Sequence, residues 1–537
     1  MIIRTAIFVI ALVVGCNARA AGTFNATSPV GTNLEAVAYY SAQWAFVDAF
    51  RASSPWISGS ATAWDDSKAL TTDANGWITS LQPGQIARTL MFGGMKSYPA
   101  GTYVVLYDGE GTLQYARAAT LDAAQSRPGR HVLQVDPSKG GIALYITATT
   151  LGNPIRNIRV IMPGGICTGD PYRLAANQAA CASAQFLGFE TYYASVRFHP
   201  VFLERTRTYR ALRFMDWGRT NNSTQANWAD RPKLTHARWS TDKGVPVEVM
   251  LDLANRLGAD PWFALPHLAN DDYVRQYAKL VSAKLVPGLK AYVEYSSEVW
   301  SSPSNQASYA QSQGQALGLS TNAFQAQLFF YAKRSVEIFN IWNSEMANSA
   351  RLVRVLSMQA SNVWGSTQML DFQNAGLQTD ALAVSPYFGY YLGTREEQSR
   401  VQSLSLNALF AEINSRAVPE AIQQMVDQAA QAQARGLSLI AYEGGQHLVG
   451  LGGVENNAAI NALFDQANRD PRMRDVYKTY LDGWRASGGR LMAHYADVGV
   501  ISKWGRWGAL EYMEQPRAAA PKFDALQNFI EQNPAWW

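Results

Sequence analysis

"DPWFALPHLANDDYVRQYAKLVSAKLVPGLKAYVEYSSEVW", residues 260–300, contains a strand, a helix and a second strand in succession. Residues 260–268 read as the first strand. Residues 271–285 read as a helix whose acidic first turn suits the helix dipole. Residues 289–300 read as the second strand, and there a question arises. Glu294 and Glu298 stand in a run of Tyr and Val, although an unpaired carboxylate out of water is costly. At least one of the two must have a chemical task or a partner.

The same alternation extends on both sides. Residues 245–258 form an amphipathic helix pattern that stops at Gly258. Further strands are expected at 31–34 and near residues 213, 355, 384, 440 and 492, most of them separated by helical stretches. Eight β-then-α repeats predict an α/β fold, a (β/α)8 TIM barrel. A doubly wound open sheet is the competing fold, and it would carry a Gly-rich phosphate loop after an early strand; the sequence has none. Residues 43–56 show apolar residues at helical spacing (Trp44, Phe46, Val47, Phe50), which predicts the first barrel helix. Residues 57–163 differ in texture, with short alternating runs broken by Gly, Pro and Asp, and predict an inserted antiparallel β-sandwich. The expected organisation is a signal peptide over 1–20, a first βα unit over 21–56, the sandwich over 57–163 and the rest of the barrel over 164–537.

Composition narrows the function classes. The chain has 537 residues, 47% hydrophobic and 16% charged, ordinary for a globular protein and too long for one small core. The net charge of +4 is small and the Lys and Arg residues are scattered, which argues against a nucleic-acid partner. The 16 Trp and 25 Tyr provide faces that stack on sugar rings. At the N-terminus, Arg4, an apolar run over 6–15 and Ala18-Arg19-Ala20 predict an export signal cut before Ala21, into the periplasm or the medium. The alternative is a lipoprotein anchored through Cys16. No later apolar run is long enough to span a bilayer. Cys167 and Cys181 then remain as an even pair, expected to form a disulfide. Neither a zinc spacing nor a cofactor motif is present, so no metal and no cofactor are expected.

In a barrel of this kind the C-terminal ends of the strands carry the site. Polar and aromatic residues gather there: Arg213, Asp216 and Trp217 on the second strand, His267 on the third, Glu298 and Trp300 on the fourth. Tyr387 follows on the sixth, Tyr442 and Glu443 on the seventh, and His494 and Tyr495 on the eighth, with Trp504 and Trp507 in the loop beyond. Two carboxylates across a barrel mouth are what glycosidic cleavage needs. One acid protonates the leaving oxygen while the other attacks or stabilises the anomeric carbon.

"YSSEVW" (295–300) and "IAYEGG" (440–445) resemble the fourth- and seventh-strand motifs of the clan A retaining glycoside hydrolases. The chain is similar to uncharacterised exported proteins within that clan, some described as cellulose-binding. The resemblance implies Glu298 as general acid/base and Glu443 as nucleophile, with Tyr387 bonding the nucleophile and His267 contacting a sugar hydroxyl. It also exposes a departure. The clan places Asn before the acid/base, where it bonds the sugar 2-hydroxyl, and here that position is Ser297. Either the substrate differs at that carbon, or Asn221, Asn222 or Asn270 substitutes, or catalysis is impaired. Glu294, deeper in the barrel, is expected to be structural and to need a cation, Arg213 or Arg354. Arg213 could instead brace the nucleophile. Trp217, Trp228, Trp300, Trp504 and Trp507 are candidate sugar platforms, the last two best exposed by their loop. The expected function is a β-glycanase acting on a polysaccharide or oligosaccharide. The alternative is a polysaccharide-binding protein on a barrel that has lost its chemistry. A serine esterase would need a G-x-S-x-G elbow, which is absent.

Overall fold

The computed structural model describes residues 25–537. The expected export signal and Cys16 lie outside the described residues. Eight parallel strands close into a barrel: β1 (Val30–Asn33), β2 (Ala211–Arg213), β3 (Asp260–Leu265), β4 (Ala291–Tyr295), β5 (Leu352–Met358), β6 (Ala381–Val384), β7 (Ser438–Ala441) and β8 (Met492–His494). Closure is explicit in the register. β1 pairs with β2 through Thr32 and Leu212, and with β8 through Thr32 and His494. Each remaining strand pairs in parallel with the next.

Helices connect most of the strands as the periodicity predicts. Val247–Leu257 (α1) ends on Gly258 at φ 66°, the left-handed position a glycine tolerates best. Asp271–Lys284 (α2) begins where the Asn270 side chain accepts from the Tyr273 N–H. The long Gln/Ala-rich stretch divides into Asn305–Ala316 (α3) and Ala323–Glu345 (α4).

The barrel interior is packed by complementary sizes. Trp262 and Tyr292 stack at 5.3 Å, and Ala211, Ala381, Ala383 and Ala493 give them room. Ile440 and Tyr442 belong to the same buried cluster, so Tyr442 continues the inward face of β7 past the end of the strand.

Residues 43–56 do not form the expected helix. Phe46 bridges Phe198, Asp48 bridges Ile161, and only a 3-10 turn follows at Ala49–Ala52. The reason is twofold. Trp44, Phe46, Val47 and Phe50 are all buried, so their spacing reflects burial on every side and not one helical face. Asp48 Oδ1 accepts from the N–H groups of both Phe50 and Val160, which favours a turn over a helix.

Two four-stranded antiparallel sheets follow. One has the order Ile57–Gly59, Ile86–Met91, Ile142–Thr149, Gly111–Arg117. The other has the order Arg156–Ile161, Gly101–Asp108, Arg130–Val135, Ala119–Leu121. Before the chain reaches β2 it makes a three-stranded sheet from Asp170–Ala175, Gly165–Cys167 and Phe186–Gly188. The disulfide joins Cys167 to Cys181 at this sheet, and closing a loop of 14 residues contributes about 3 kcal/mol.

Candidate active site

At the C-terminal end of the barrel lies a cleft of about 680 Å³. Glu298 and Glu443 both line it. Backbone geometry delivers Glu298. After Tyr295 the chain leaves the strand, with Ser296 at φ 58° and Glu298 at φ 46°. Two non-glycine residues in the left-handed region cost roughly 1–3 kcal/mol each, a strain associated with functional sites. Hydrogen bonds hold the turn, from Ser296 N to Leu265 O and from Ser301 N to Glu298 O, both 2.8 Å. Strand alternation ends at residue 295, so the turn and not the strand aims Glu298 at the cleft.

Glu443 is delivered by β7 and a pair of glycines. A Cβ at Gly444 would stand 2.6 Å from the Tyr480 hydroxyl, and one at Gly445 would stand 2.7 Å from the Tyr477 hydroxyl. The two tyrosines press the turn into place, and only glycine fits beneath them.

Below the two carboxylates, Arg213 organises the floor. It is fully buried, and all five of its N–H groups are directed at partners. Nε and one Nη2 proton go to Glu294 Oε2 at 3.1 and 3.0 Å, and the other Nη2 proton goes to Ser297 Oγ at 3.2 Å. Nη1 serves Asn33 Oδ1 at 3.1 Å and Glu443 Oε1 at 2.8 Å. Arg213 therefore both braces Glu443 and pairs with Glu294. Trp262 Nε1 at 3.0 Å and Ser357 Oγ at 2.8 Å complete the shell of Glu294. Arg354 is not a partner of Glu294. It pairs with Asp380 at 2.7 Å, because Arg354 stands opposite Val293 in the ladder and so faces the other way from Glu294.

The partners of Glu298 and Glu443 are unequal. Glu443 accepts from the Arg213 guanidinium and from the Tyr387 hydroxyl at 3.0 Å. Among the described residues, Glu298 accepts from the Tyr442 hydroxyl alone, at 3.0 Å. Ser385 Oγ lies 2.8 Å from the same hydroxyl, so when Tyr442 donates to Glu298 its oxygen receives the Ser385 proton.

Burial is the largest influence on both carboxyls and raises both. The Glu298 charge lifts Glu443 further, to about 8, against the pull of Arg213 and Tyr387. Groups that interact this strongly titrate as a pair. Each therefore keeps a proton to higher pH than a free carboxyl. Of the two, Glu298 is the favoured seat for a shared proton, because Glu443 accepts a charge-assisted bond while Glu298 accepts from a neutral hydroxyl. One protonated and one ionised carboxyl, facing one cleft, can together donate a proton and supply a nucleophile.

Aromatic rings form the walls. Trp300 lines one part, and Tyr387, Tyr390, His447, Trp507 and Tyr495 line another. His447 packs against Tyr390 at 4.9 Å, Trp507 at 5.0 Å and Tyr387 at 5.6 Å. Tyr495 donates to Asp216 Oδ2 at 3.0 Å, which places Asp216 behind the wall. Asn221 lines the cleft and accepts from Gln306 Nε2 at 2.9 Å.

Several expected contacts lie elsewhere. Trp217 is fully buried, packs on Phe46 and Phe214, and donates from Nε1 to Gln43 Oε1 at 2.9 Å. It is core, and no platform. His267 is buried against Tyr309 away from the cleft. His494 is buried between the Tyr477 hydroxyl and the Ala496 carbonyl, and desolvation pushes it down to about 3, so it stays neutral. Asn222 and Asn270 serve the backbone: Asn222 Oδ1 accepts from Asn305 N, and Asn270 caps α2. Ser297 is buried and turned to Arg213. Trp228 packs edge-on against Tyr273. Trp504 is 65% exposed, outside the cleft, and accepts on its carbonyl from Trp507 Nε1.

Sequence reasoning placed Tyr442 on the rim but gave it no role, and it missed Ser385, His447 and Tyr390 as parts of the cleft. Tyr442 had a signal: a polar tip directly before Glu443 at the end of an apolar strand. Among the described residues, no group of His, Cys, Asp and Glu is placed to hold a metal ion. No helix among them is long and apolar enough to cross a membrane.

Fold and site together define a closed parallel barrel with one buried and one half-buried carboxyl, Glu443 and Glu298, at its C-terminal mouth. No protein-family profile matches the chain, and no curated protein matches it. Similar solved structures include the xyloglucanase of Bacteroides ovatus, at 9% identity over 83% of this chain and 96% of that one, with a TM-score of 0.36. The β-glucosidase of Thermotoga maritima matches at 12% identity over 62% and 85%, with a TM-score of 0.36. The β-glucuronidase 2 of Bacteroides uniformis matches at 11% identity over 83% of this chain, with a TM-score of 0.30; this chain spans 49% of its length. The barrel itself is established by its own strand register.

Proposed function

We propose that the protein is an exported retaining glycoside hydrolase that cleaves β-glycosidic bonds in a polysaccharide or oligosaccharide. The observation that carries this reading is the unequal partnering of the two cleft carboxyls. Glu443, ionised by Arg213 and Tyr387, attacks the anomeric carbon, while Glu298, protonated, gives its proton to the leaving oxygen. In the second step Glu298 takes a proton from water, and that water displaces the sugar from Glu443. Arg213 and Tyr387 release the Glu443 oxygens as the ester forms and recover them as it breaks. The two antiparallel sheets are read as a sandwich inserted over 57–163. The disulfide suits an oxidising compartment and supports export.

One observation favours a second reading, a glycan-binding protein without turnover. Ser297 occupies the position from which the clan's Asn reaches the substrate, and here its hydroxyl faces Arg213. Hydrolysis of β-glycans and aryl β-glycosides, with azide rescue of Glu443→Ala, separates the two. Cleavage with an inverted glycosyl azide supports the retaining enzyme. Binding without cleavage supports the second reading.

A further inference from the structure

We propose that the cleft accepts uncharged glycans and rejects uronate-bearing or sulfated ones. This rests on the glycan-binding reading above and adds the class of sugar.

The first observation is the charge of the lining. Among the described residues that line the cleft, the formally charged ones are Glu298, Glu420 and Glu443, and there is no Lys or Arg. The second is the state of the nearest cation. Arg213 is fully buried and its five N–H groups are all directed at protein acceptors. It has no donor left for a sugar carboxylate. The cation beside the outer wall, Arg416, is bound to Glu420 at 2.8 Å and lies 3.9 Å over the Tyr391 ring. The third is His447. It stands among aromatic rings in the wall, and burial pushes its imidazole down to about 4, so it meets a sugar as a neutral group.

A sugar carboxylate in this cleft would lose its water and meet negative charge with no compensating cation. A desolvated ion is strongly disfavoured there, whereas hydroxyls find neutral partners in Asn221, Gln359 and Gln424. The flat walls stack on any pyranose face, so they do not discriminate by charge. Discrimination therefore falls to the field inside the cleft.

The test is equilibrium binding to Glu298→Gln, which mimics the protonated acid and prevents turnover. The probes are cellohexaose against its C6-oxidised counterpart, and xylohexaose with and without a glucuronosyl branch. Calorimetry at low salt should show the neutral member of each pair bound at least about 100-fold more tightly, with the gap narrowing as salt screens the repulsion. Equal or tighter binding of the uronates overturns the inference. A gap indifferent to salt also overturns it, since shape would then be the cause. Wild-type turnover is scored separately. Charge-selective binding without cleavage would sink the hydrolase reading and leave this one standing, and binding of neither class overturns both.

Discussion

The barrel has a hollow at each end, and the two are nearly the same size, about 680 Å³ at the C-terminal mouth and about 650 Å³ at the N-terminal face. Their chemistry is opposite. The N-terminal hollow is lined by Lys290, Arg354 and Arg490 at the starts of strands, with side chains that reach water and pair locally, Arg354 to Asp380 and Arg490 to Ser438. Among the described residues, the lining of the C-terminal hollow has no cation, but beneath it a single dehydrated arginine holds two carboxylates. Volume does not distinguish them. What does is charge removed from water, which is costly unless it is fully partnered and which alters the proton affinity of its neighbours.

The largest effect expected from this contrast is on turnover. Glu443→Ala should lower kcat by about 10⁴-fold or more, measured on whichever β-glycoside the wild type cleaves. Asp380→Ala in the other hollow should leave kcat within about twofold. A comparable loss at both ends would erase the distinction.

Stability comes next. Arg213→Met leaves Glu294 and Glu443 buried without their cation and should cost about 3–5 kcal/mol in denaturant unfolding. Arg354→Ala breaks a half-exposed pair and should cost less than about 1 kcal/mol. Equal losses would mean that Arg213 is better hydrated than its position implies.

A finer effect concerns the proton on Glu298. The Tyr442 hydroxyl favours the ionised form of that carboxyl and so lowers its pKa. Removing it with Tyr442→Phe should raise the pKa, and the basic limb of the kcat/KM profile should move up by about one pH unit. Tyr387→Phe acts on Glu443 and should move the acidic limb upward instead. Identical shifts in both variants would show that the proton is not confined to Glu298.

The smallest effect is on the pH dependence of stability. Burial pushes Asp497 up to about 7, above its unfolded value near 3.9. The native state therefore keeps a proton that the unfolded chain gives up. Its contribution is complete below about pH 4 and is lost as pH rises to about 7. Tm should fall across that window, and Asp497→Asn should make the slope shallower. An unchanged slope would place the ionised form of Asp497 in the native protein at neutral pH.

Much of this was legible in the chain. Each barrel strand is short, apolar and followed at most turns by a helix with clear caps, so local pattern and global topology agree. Glu298 and Glu443 were legible because charge at the end of an apolar strand is rare without a reason. The failures share one cause. The pattern at 43–56 mimics a helix because its apolar residues are buried on all sides, a fact of packing and not of periodicity. Trp217, His267 and His494 stand near strand ends in the sequence yet turn into the core, and strand position does not say which way a side chain turns beyond the last ladder bond. The Arg354 partnership failed for a related reason: Arg354 stands opposite Val293 in the ladder, one residue off the register of Glu294, so its side chain faces away from the barrel interior and reaches Asp380.

By itself, then, the sequence determined the order of the barrel strands and most helices, the disulfide pair and the two carboxyls at the C-terminal ends of strands four and seven. Those features follow from hydrophobic period, turn residues and the cost of burying charge, which are local properties of a chain. Only the tertiary structure decided how the two carboxyls differ. That difference depends on Arg213, Tyr387 and Tyr442, which come from three different strands, and on the removal of water around all of them. Hydrogen-bond partners 56 to 230 residues apart, and the local dielectric, exist only once the barrel has closed.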